Sequence, residues 1–251
     1  MTEQTASPKT ENEVNRREFL SKGVAIAAGT TLAPGLFLHQ MSQAKTADEA
    51  VSDKVRWGIL IDANKCADDC SDCVQACNET YGLSGHERPA TDAQWIRKVT
   101  VKDRQTGHVT SLPLMCQHCE NPPCVDVCPT GASFKRENGI VLVDKHICIG
   151  CRYCMMACPY KARSFIHETL EDQKAEAPRG KGTVEACTFC VTRIDQGEET
   201  TACAQACKHE AMLFGDLNDP DSALSKRLKD EPSVQLRADL ELNPGVRYQG
   251  L

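Results

Sequence analysis

The sequence predicts a loop-rich α+β fold in which short strands and short helices are strung between four groups of cysteines. Three observations lead there. All 16 cysteines fall into four groups of four, and each group ends in Cys-x3-Cys. Aromatic residues make up only 5% of the chain, so crosslinks through cysteine must replace part of the usual apolar core. Strand-like runs and turns alternate with the cysteine groups, repeating a strand or loop, a group, a turn and another strand.

Residues 15–22, Asn-Arg-Arg-Glu-Phe-Leu-Ser-Lys, precede a modestly apolar run at 24–38. That run is too short, and too rich in Gly, Thr and Pro, to span a bilayer. Arg16-Arg17, then Phe-Leu, then a weak apolar stretch resemble a bacterial twin-arginine export signal. Small residues at Ser42 and Ala44 suit cleavage before Lys45, which makes residues 1–44 a signal region. This route carries folded, loaded proteins, so periplasmic localisation does not require the cysteines to form disulfides.

After a polar linker, residues 55–62 read as a strand feeding the first group, Cys66-x3-Cys70-x2-Cys73-x3-Cys77. Residues 81–94 read as a surface loop, and a hairpin follows with arms at 95–101 and 108–114 around a Gly-containing turn. The second group is Cys116-x2-Cys119-x4-Cys124-x3-Cys128-Pro129, with a stiff Asn-Pro-Pro detour in its middle gap. Strand-like runs at 132–135 and 139–144 lead to the third group, Cys148-x2-Cys151-x2-Cys154-x3-Cys158-Pro159, and 162–167 leaves it. The charged stretch 168–182 reads as a loop or insertion. The fourth group is Cys187-x2-Cys190-x12-Cys203-x3-Cys207, with a strand at 211–214 beyond it. A capped helix is expected at 223–229, and residues 218–251 read as an extended tail laid on the body or on a partner.

The third group carries the chemistry most plainly. C-x2-C-x2-C-x3-C-P binds a [4Fe–4S] cubane in bacterial ferredoxins, its fourth cysteine reaching a neighbouring cluster. Four such groups predict four [4Fe–4S] clusters and leave no thiol for a disulfide or a nucleophile. The first group has one residue more between its first two cysteines, and Cys77-Asn78 and Cys207-Lys208 lack the following proline. Lys135, Arg136, Lys161, Arg163, Arg193 and Lys208, near the groups in sequence, are read either as offsetting cluster charge or as solvated ions. His118 and His146 are read as outer-shell or surface groups, and Met155 and Met156 as packing against a cluster. A net charge of −6 and a pI near 5.7 argue against nucleic acid as a partner. A structural zinc protein is the alternative for paired C-x2-C motifs, but zinc ribbons do not use the third group's spacing. A complete enzyme is disfavoured, because no nucleophile–base motif or phosphate loop stands out.

Residues 116–124 (Cys-Gln-His-Cys-Glu-Asn-Pro-Pro-Cys), 148–160 and 187–190 resemble the four-cluster ferredoxin-like electron-transfer subunits. These include the NrfC and PsrB types and the iron–sulfur subunits of nitrite, tetrathionate, polysulfide and molybdopterin oxidoreductases. Within that family the resemblance is nearest to the DsrO type, the periplasmic iron–sulfur subunit of the DsrMKJOP complex of dissimilatory sulfur metabolism. It implies an integral membrane partner of the quinone-handling NrfD type (DsrP-like) and a periplasmic multihaem cytochrome c (DsrJ-like). The second and third groups pair as in two-cluster ferredoxins. One cluster then takes Cys116, Cys119, Cys124 and Cys158, and its neighbour takes Cys148, Cys151, Cys154 and Cys128. By resemblance the outer groups cross likewise, Cys66, Cys70 and Cys73 with Cys207, and Cys187, Cys190 and Cys203 with Cys77. The expected fold is two pseudo-symmetric ferredoxin-like 2[4Fe–4S] modules within residues 45–217. The inner module covers about 112–168, and the outer one about 55–111 plus 169–217.

If Arg16-Arg17 directs export, replacing both with lysine leaves the precursor in the cytoplasm with its clusters intact. Cell fractionation with iron analysis checks this, and normal periplasmic appearance of the double variant would contradict it.

Overall fold

The computed structural model describes residues 51–171 and 173–251. The twin-arginine stretch and the cleavage position lie outside the described residues.

The centre is a three-stranded sheet built on β1 (Trp57–Asp62). That strand is buried along nearly its whole length, Ile59 and Ile61 with no exposed surface and Leu60 with almost none. β1 pairs antiparallel with β8 (Met212–Asp216) and parallel with β9 (Val246–Gln249), so that Ile59 lies between Phe214 and Val246. No side chain fits at Gly58, where an added Cβ would stand 2.7 Å from the Gly245 carbonyl. The sheet therefore joins the segment before the first cysteine group to the segment after the fourth.

α1 (Asp72–Tyr81) carries Cys73, Cys77 and Tyr81 on one buried face, as a spacing of four residues dictates. It stops at Gly82, whose φ of 62° lies in the left-handed region. Tyr81 then packs on Trp95, ring centroids 4.6 Å apart, at the mouth of the expected hairpin. That hairpin is β2 (Ile96–Lys102) paired antiparallel with β3 (Val109–Met115). Asp103 shapes its turn, its Oδ1 accepting from the N–H groups of Gln105 and Thr106.

The remaining elements are short, as the cysteine loops require. α2 (Pro123–Asp126) begins on proline, where a missing N–H costs nothing. β4 (Ser133–Lys135) pairs with β5 (Val141–Val143). α3 (Tyr153–Ala157) lies within the third group. β6 (Ser164–Phe165) pairs with β7 (Val184–Glu185), a strand the sequence did not announce. α4 (Val191–Asp195) lies in the long gap of the fourth group, and α5 (Ala202–Gln205) carries its third cysteine, Cys203. α6 (Ala223–Asp230) is the expected helix, with the Ser222 hydroxyl accepting from the Ser225 N–H at 3.0 Å. The charged stretch before β7 is tied down by a buried ion pair, Arg179 on Glu185 at 2.7 Å, and by Arg179 donating to the Gly82 carbonyl. Among the described residues, no helix is long and apolar enough to cross a membrane.

The C-terminal segment does more than lie along the body. Besides forming β9, it is laced to the second cysteine loop by Gly245 N–H to the Gln117 carbonyl (2.8 Å) and Glu120 N–H to the Leu242 carbonyl (3.0 Å). Tyr248 is wholly buried; its hydroxyl donates to the Pro113 carbonyl and accepts from Gln117 Nε2. Tyr160 reaches the same segment, donating to the Leu236 carbonyl at 3.0 Å.

Tyr248→Ala should therefore destabilise the protein by about 3–5 kcal/mol, the range for truncating a buried aromatic. Tyr248→Phe, which loses only hydrogen bonds, should cost about 1 kcal/mol. Anaerobic denaturant unfolding of the two variants tests the order; equal effects would show that the ring does not fill the core.

Candidate metal centres

All 16 thiols are free of disulfide bonds. Three of the four groups share a backbone device that turns their thiols inward. The residue before the second cysteine is left-handed in each: His118 (φ 43°), Gly150 (φ 69°) and Phe189 (φ 50°). Three residues past the fourth cysteine the chain is left-handed again, at Gly131, Lys161 and Glu210. There the N–H returns to the cysteine's own carbonyl, at 3.3, 3.2 and 3.0 Å from Cys128, Cys158 and Cys207. The first group differs at both places. Its first loop is one residue longer, and α1 runs on through Cys77, which has no proline behind it.

Several thiols have neighbours from more than one group. Burial, then the charges of Cys66 and Cys207, push the Cys73 thiol up to about 11. Burial also raises Cys66, with Cys207 and Cys70 adding to it against Lys98. Cys77 is raised by burial and then by Cys203 and Cys190, and Cys187 by burial and then by Cys77, Cys203 and Cys190. Burial, then Cys124 and Cys158, raise Cys119 to about 12, and burial with Cys124 foremost raises Cys116. Cys154 is raised by burial, opposed by Arg163 and assisted by Cys148 and Cys128. A pocket in the protein is lined by Cys148, Cys151 and Cys154 together with Cys128. Among the described residues, no three His, Cys, Asp or Glu side chains converge as a single-ion site does.

Crowded, desolvated thiols of like charge are a poor arrangement for a metal-free protein, since each resists losing its proton. Bound metal reverses this, because the ligand must be the thiolate and loading expels the protons. The donor set around the sulfurs suits anions. Backbone N–H groups point at Sγ of Cys128 (from Ser133, 3.3 Å), Cys190 (from Ala202, 3.4 Å) and Cys207 (from Ala211, 3.3 Å). For Cys128, burial raises the thiol slightly, but the Ser133 N–H and Thr130 hydroxyl outweigh it and hold it below its ordinary value. The Thr201 hydroxyl lies 3.2 Å from Cys203 Sγ. Several buried polar atoms beside these loops have no protein partner, among them His118 Nε2, Thr188 Oγ1 and Arg163 Nε and Nη1. These features fit iron–sulfur clusters held by thiolates.

Of the six basic residues near the groups, Arg163 alone hydrogen-bonds a cysteine sulfur, Cys124 Sγ at 3.0 Å. Arg136 pairs with Asp195, Arg193 with Glu198 and Lys208 with Asp72, while Lys135 donates to the Glu120 carbonyl. Met155 packs in a small core with Cys124 and Cys154, but Met156 is 65% exposed and does not pack as expected. The reason is helical phase: consecutive residues of α3 point to different faces. His146 is exposed and its N–H bonds the Asp144 carboxylate.

His118 has a larger role than its position suggested. It is fully buried between two cysteines and stacks on Phe189 of the fourth group, centroids 3.7 Å apart. Phe189 in turn meets Phe214 edge-on, which links the cysteine loops to the central sheet. Burial, with Arg163 nearby, drives the His118 pKa down to about 3, so the ring is neutral. Its Nδ1 accepts from the Val141 N–H at 3.0 Å, which leaves the proton on the unpartnered Nε2. A Cys-x-His-Cys spacing marks the residue but not its burial.

Two models of the family described as 4Fe-4S dicluster domain match the chain, over residues 65–132 and 107–217. The Hdr-like menaquinol oxidoreductase iron-sulfur subunit 1 of Archaeoglobus fulgidus is 40% identical, covering 95% of this chain and 98% of that protein. A tetrathionate reductase subunit of Salmonella typhimurium is 35% identical (94% and 88% covered), and NrfC of Escherichia coli 32% (92% of each). Two dicluster domains mean four [4Fe–4S] clusters, and the chain has 16 cysteines.

Gly150→Ala should damage the third loop selectively. The position is left-handed, and an added Cβ would meet the Gly182 carbonyl at 2.1 Å. Anaerobic iron analysis is expected to show partial loss with the fold retained by circular dichroism; full iron content would contradict the tight fit.

Proposed function

The chain belongs to the 4Fe-4S dicluster family of iron–sulfur subunits, and from that premise we propose an electron relay with no substrate site of its own. It passes single electrons between a membrane quinone-handling subunit and another redox centre. Each cluster, when bound, accepts and releases one electron without making or breaking a bond to substrate. The protein's task is to hold the clusters in order, keep water from the inner ones and bring the outer ones near partners.

One observation carries this reading, the graded exposure of the cysteines. In the proposed sets, Cys77, Cys187, Cys190 and Cys203 are all buried, as are Cys116, Cys119, Cys124 and Cys158. The other two sets are partly open: Cys66, Cys70 and Cys207 are half-buried, as are Cys128 and Cys148, and Cys151 is exposed. The buried sets adjoin through the His118–Phe189 stack. Each open set adjoins a buried one, Cys73 acting on Cys203 and Cys154 on Cys124. This supports a line with two buried sites inside and an open site at each end. The left-handed turns shared by the second, third and fourth groups support related ferredoxin-like modules, the inner one at about 112–168 and the outer one at about 55–111 plus 169–217, with the first group departing from the pattern.

We place the protein in the periplasm, exported through Arg16-Arg17, as a DsrO-type subunit of a DsrMKJOP-like complex in dissimilatory sulfur metabolism. Its partners are then an NrfD-type (DsrP-like) membrane protein and a DsrJ-like multihaem cytochrome c. The menaquinol oxidoreductase in the name of the 40% identical relative supports a quinol-linked partner. The 35% identity with the tetrathionate reductase relative favours a second reading, the same relay serving another periplasmic oxidoreductase. Purification from membranes separates the two: haem c and an NrfD-type protein accompany the first, a molybdopterin protein the second.

Anaerobically purified protein should hold roughly 16 irons and as many labile sulfides per chain, with reduced cubane signals in EPR. Tightly bound zinc without colour would overturn the relay. Cys128→Ser should damage the cluster held by Cys148, Cys151 and Cys154; damage confined to that of Cys116, Cys119 and Cys124 would refute the crossed sets.

A further inference from the structure

Arg163 is a buried cation with no carboxylate. Only 6% of its surface is exposed, and it forms no ion pair with any Asp or Glu among the described residues. Its Nη2 donates to Cys124 Sγ at 3.0 Å and to Ser133 Oγ at 2.8 Å, while Nε and Nη1 have no partner in the protein. The sulfurs beside it lie on two sides: Cys124, bonded directly, and the pocket that Ser133 lines together with Cys128, Cys148, Cys151 and Cys154. Its hydroxyl partner Ser133 leads to the same second side, because the Ser133 N–H donates to Cys128 Sγ. The side chain is set in place by the turn after Cys158, where Arg97 clamps the Tyr160 and Lys161 carbonyls at 2.8 and 3.0 Å.

A buried guanidinium left unpaired is strongly destabilising, so a counter-charge must be present in the working protein. The thiolates it faces belong to two different proposed ligand sets. We infer that Arg163 is a shared electrostatic bridge between two cluster sites, those of Cys116, Cys119, Cys124 and Cys158 and of Cys148, Cys151, Cys154 and Cys128, and that it raises the reduction potential of both. This rests on the crossed sets proposed above. Reduction adds one electron and no proton or bond, so it increases the negative charge at a site. A fixed cation in a low-dielectric interior, donating hydrogen bonds to sulfur, favours that more negative state. Because it lies between the sites, it also lowers the repulsion felt when both are reduced.

The test is potentiometric titration with EPR on the full-length, cluster-loaded protein, comparing wild type, Arg163→Gln and Arg163→Lys. In Arg163→Gln two of the four clusters should become at least tenfold harder to reduce, a fall of about 59 mV or more for a one-electron couple. The other two should not move, and Arg163→Lys, which keeps the charge, should shift the same pair less. Unchanged potentials, a shift confined to one cluster, or equal shifts in both variants would overturn the bridge. If Arg163→Gln fails to load, wild-type protein carrying 15N-arginine answers instead. Nitrogen couplings at two reduced clusters support the bridge, and couplings at one or none overturn it. Wild type with fewer than four clusters would count against the relay reading rather than against Arg163.

Discussion

Everything in this structure depends on bringing thiols of like charge together from separate stretches of chain. Cys77 sits among Cys190 and Cys203, and Cys128 shares a pocket with Cys148, Cys151 and Cys154. Such gatherings resist ionisation when empty and hold firmly when metal cations neutralise the thiolates. The main core is partly built from the same side chains: Cys73, Cys77, Cys116, Cys119, Cys158, Cys187, Cys190 and Cys203 lie in one cluster with Ile59, Trp95 and Tyr248. With 5% aromatics, the chain relies on aliphatic side chains and cysteines for much of that core. Cofactor binding and folding are thus the same free energy viewed from two sides.

The backbone around the sulfurs shows how cheaply the loops are specified. A left-handed residue before the second cysteine and another after the fourth suffice to aim the thiols, and three groups use both. Only one of the early positions is glycine, Gly150, where the Gly182 carbonyl leaves no room for Cβ. His118 and Phe189 occupy the matching positions as side chains and use them to stack on each other. That strained backbone is offset by a contact joining the two fully buried cysteine sets.

What was legible in the sequence was local. The four groups, the hairpin around Asp103, β4 with β5, and the Ser222-capped helix all announce themselves within a few residues. What was not legible depends on partners distant in the chain. β7 is two residues long, and its Glu185 is buried only because Arg179 meets it. β9 lies in a polar stretch, where Val246 and Tyr248 reveal their alternation only once β1 is beside them. Arg163 was one of six cations read either as offsetting cluster charge or as solvated, and no local pattern shows that it alone of the six points inward at sulfur.

The central claim is that thiolates from different cysteine groups meet at common clusters. An anomalous difference map at the iron edge, from crystals of anaerobically purified protein, tests it most directly. The expected result is four cubane-sized peaks, with Cys128 Sγ bound at the peak shared by Cys148, Cys151 and Cys154, and Cys77 at that of Cys187, Cys190 and Cys203. Peaks each ligated by the four cysteines of a single group would contradict it.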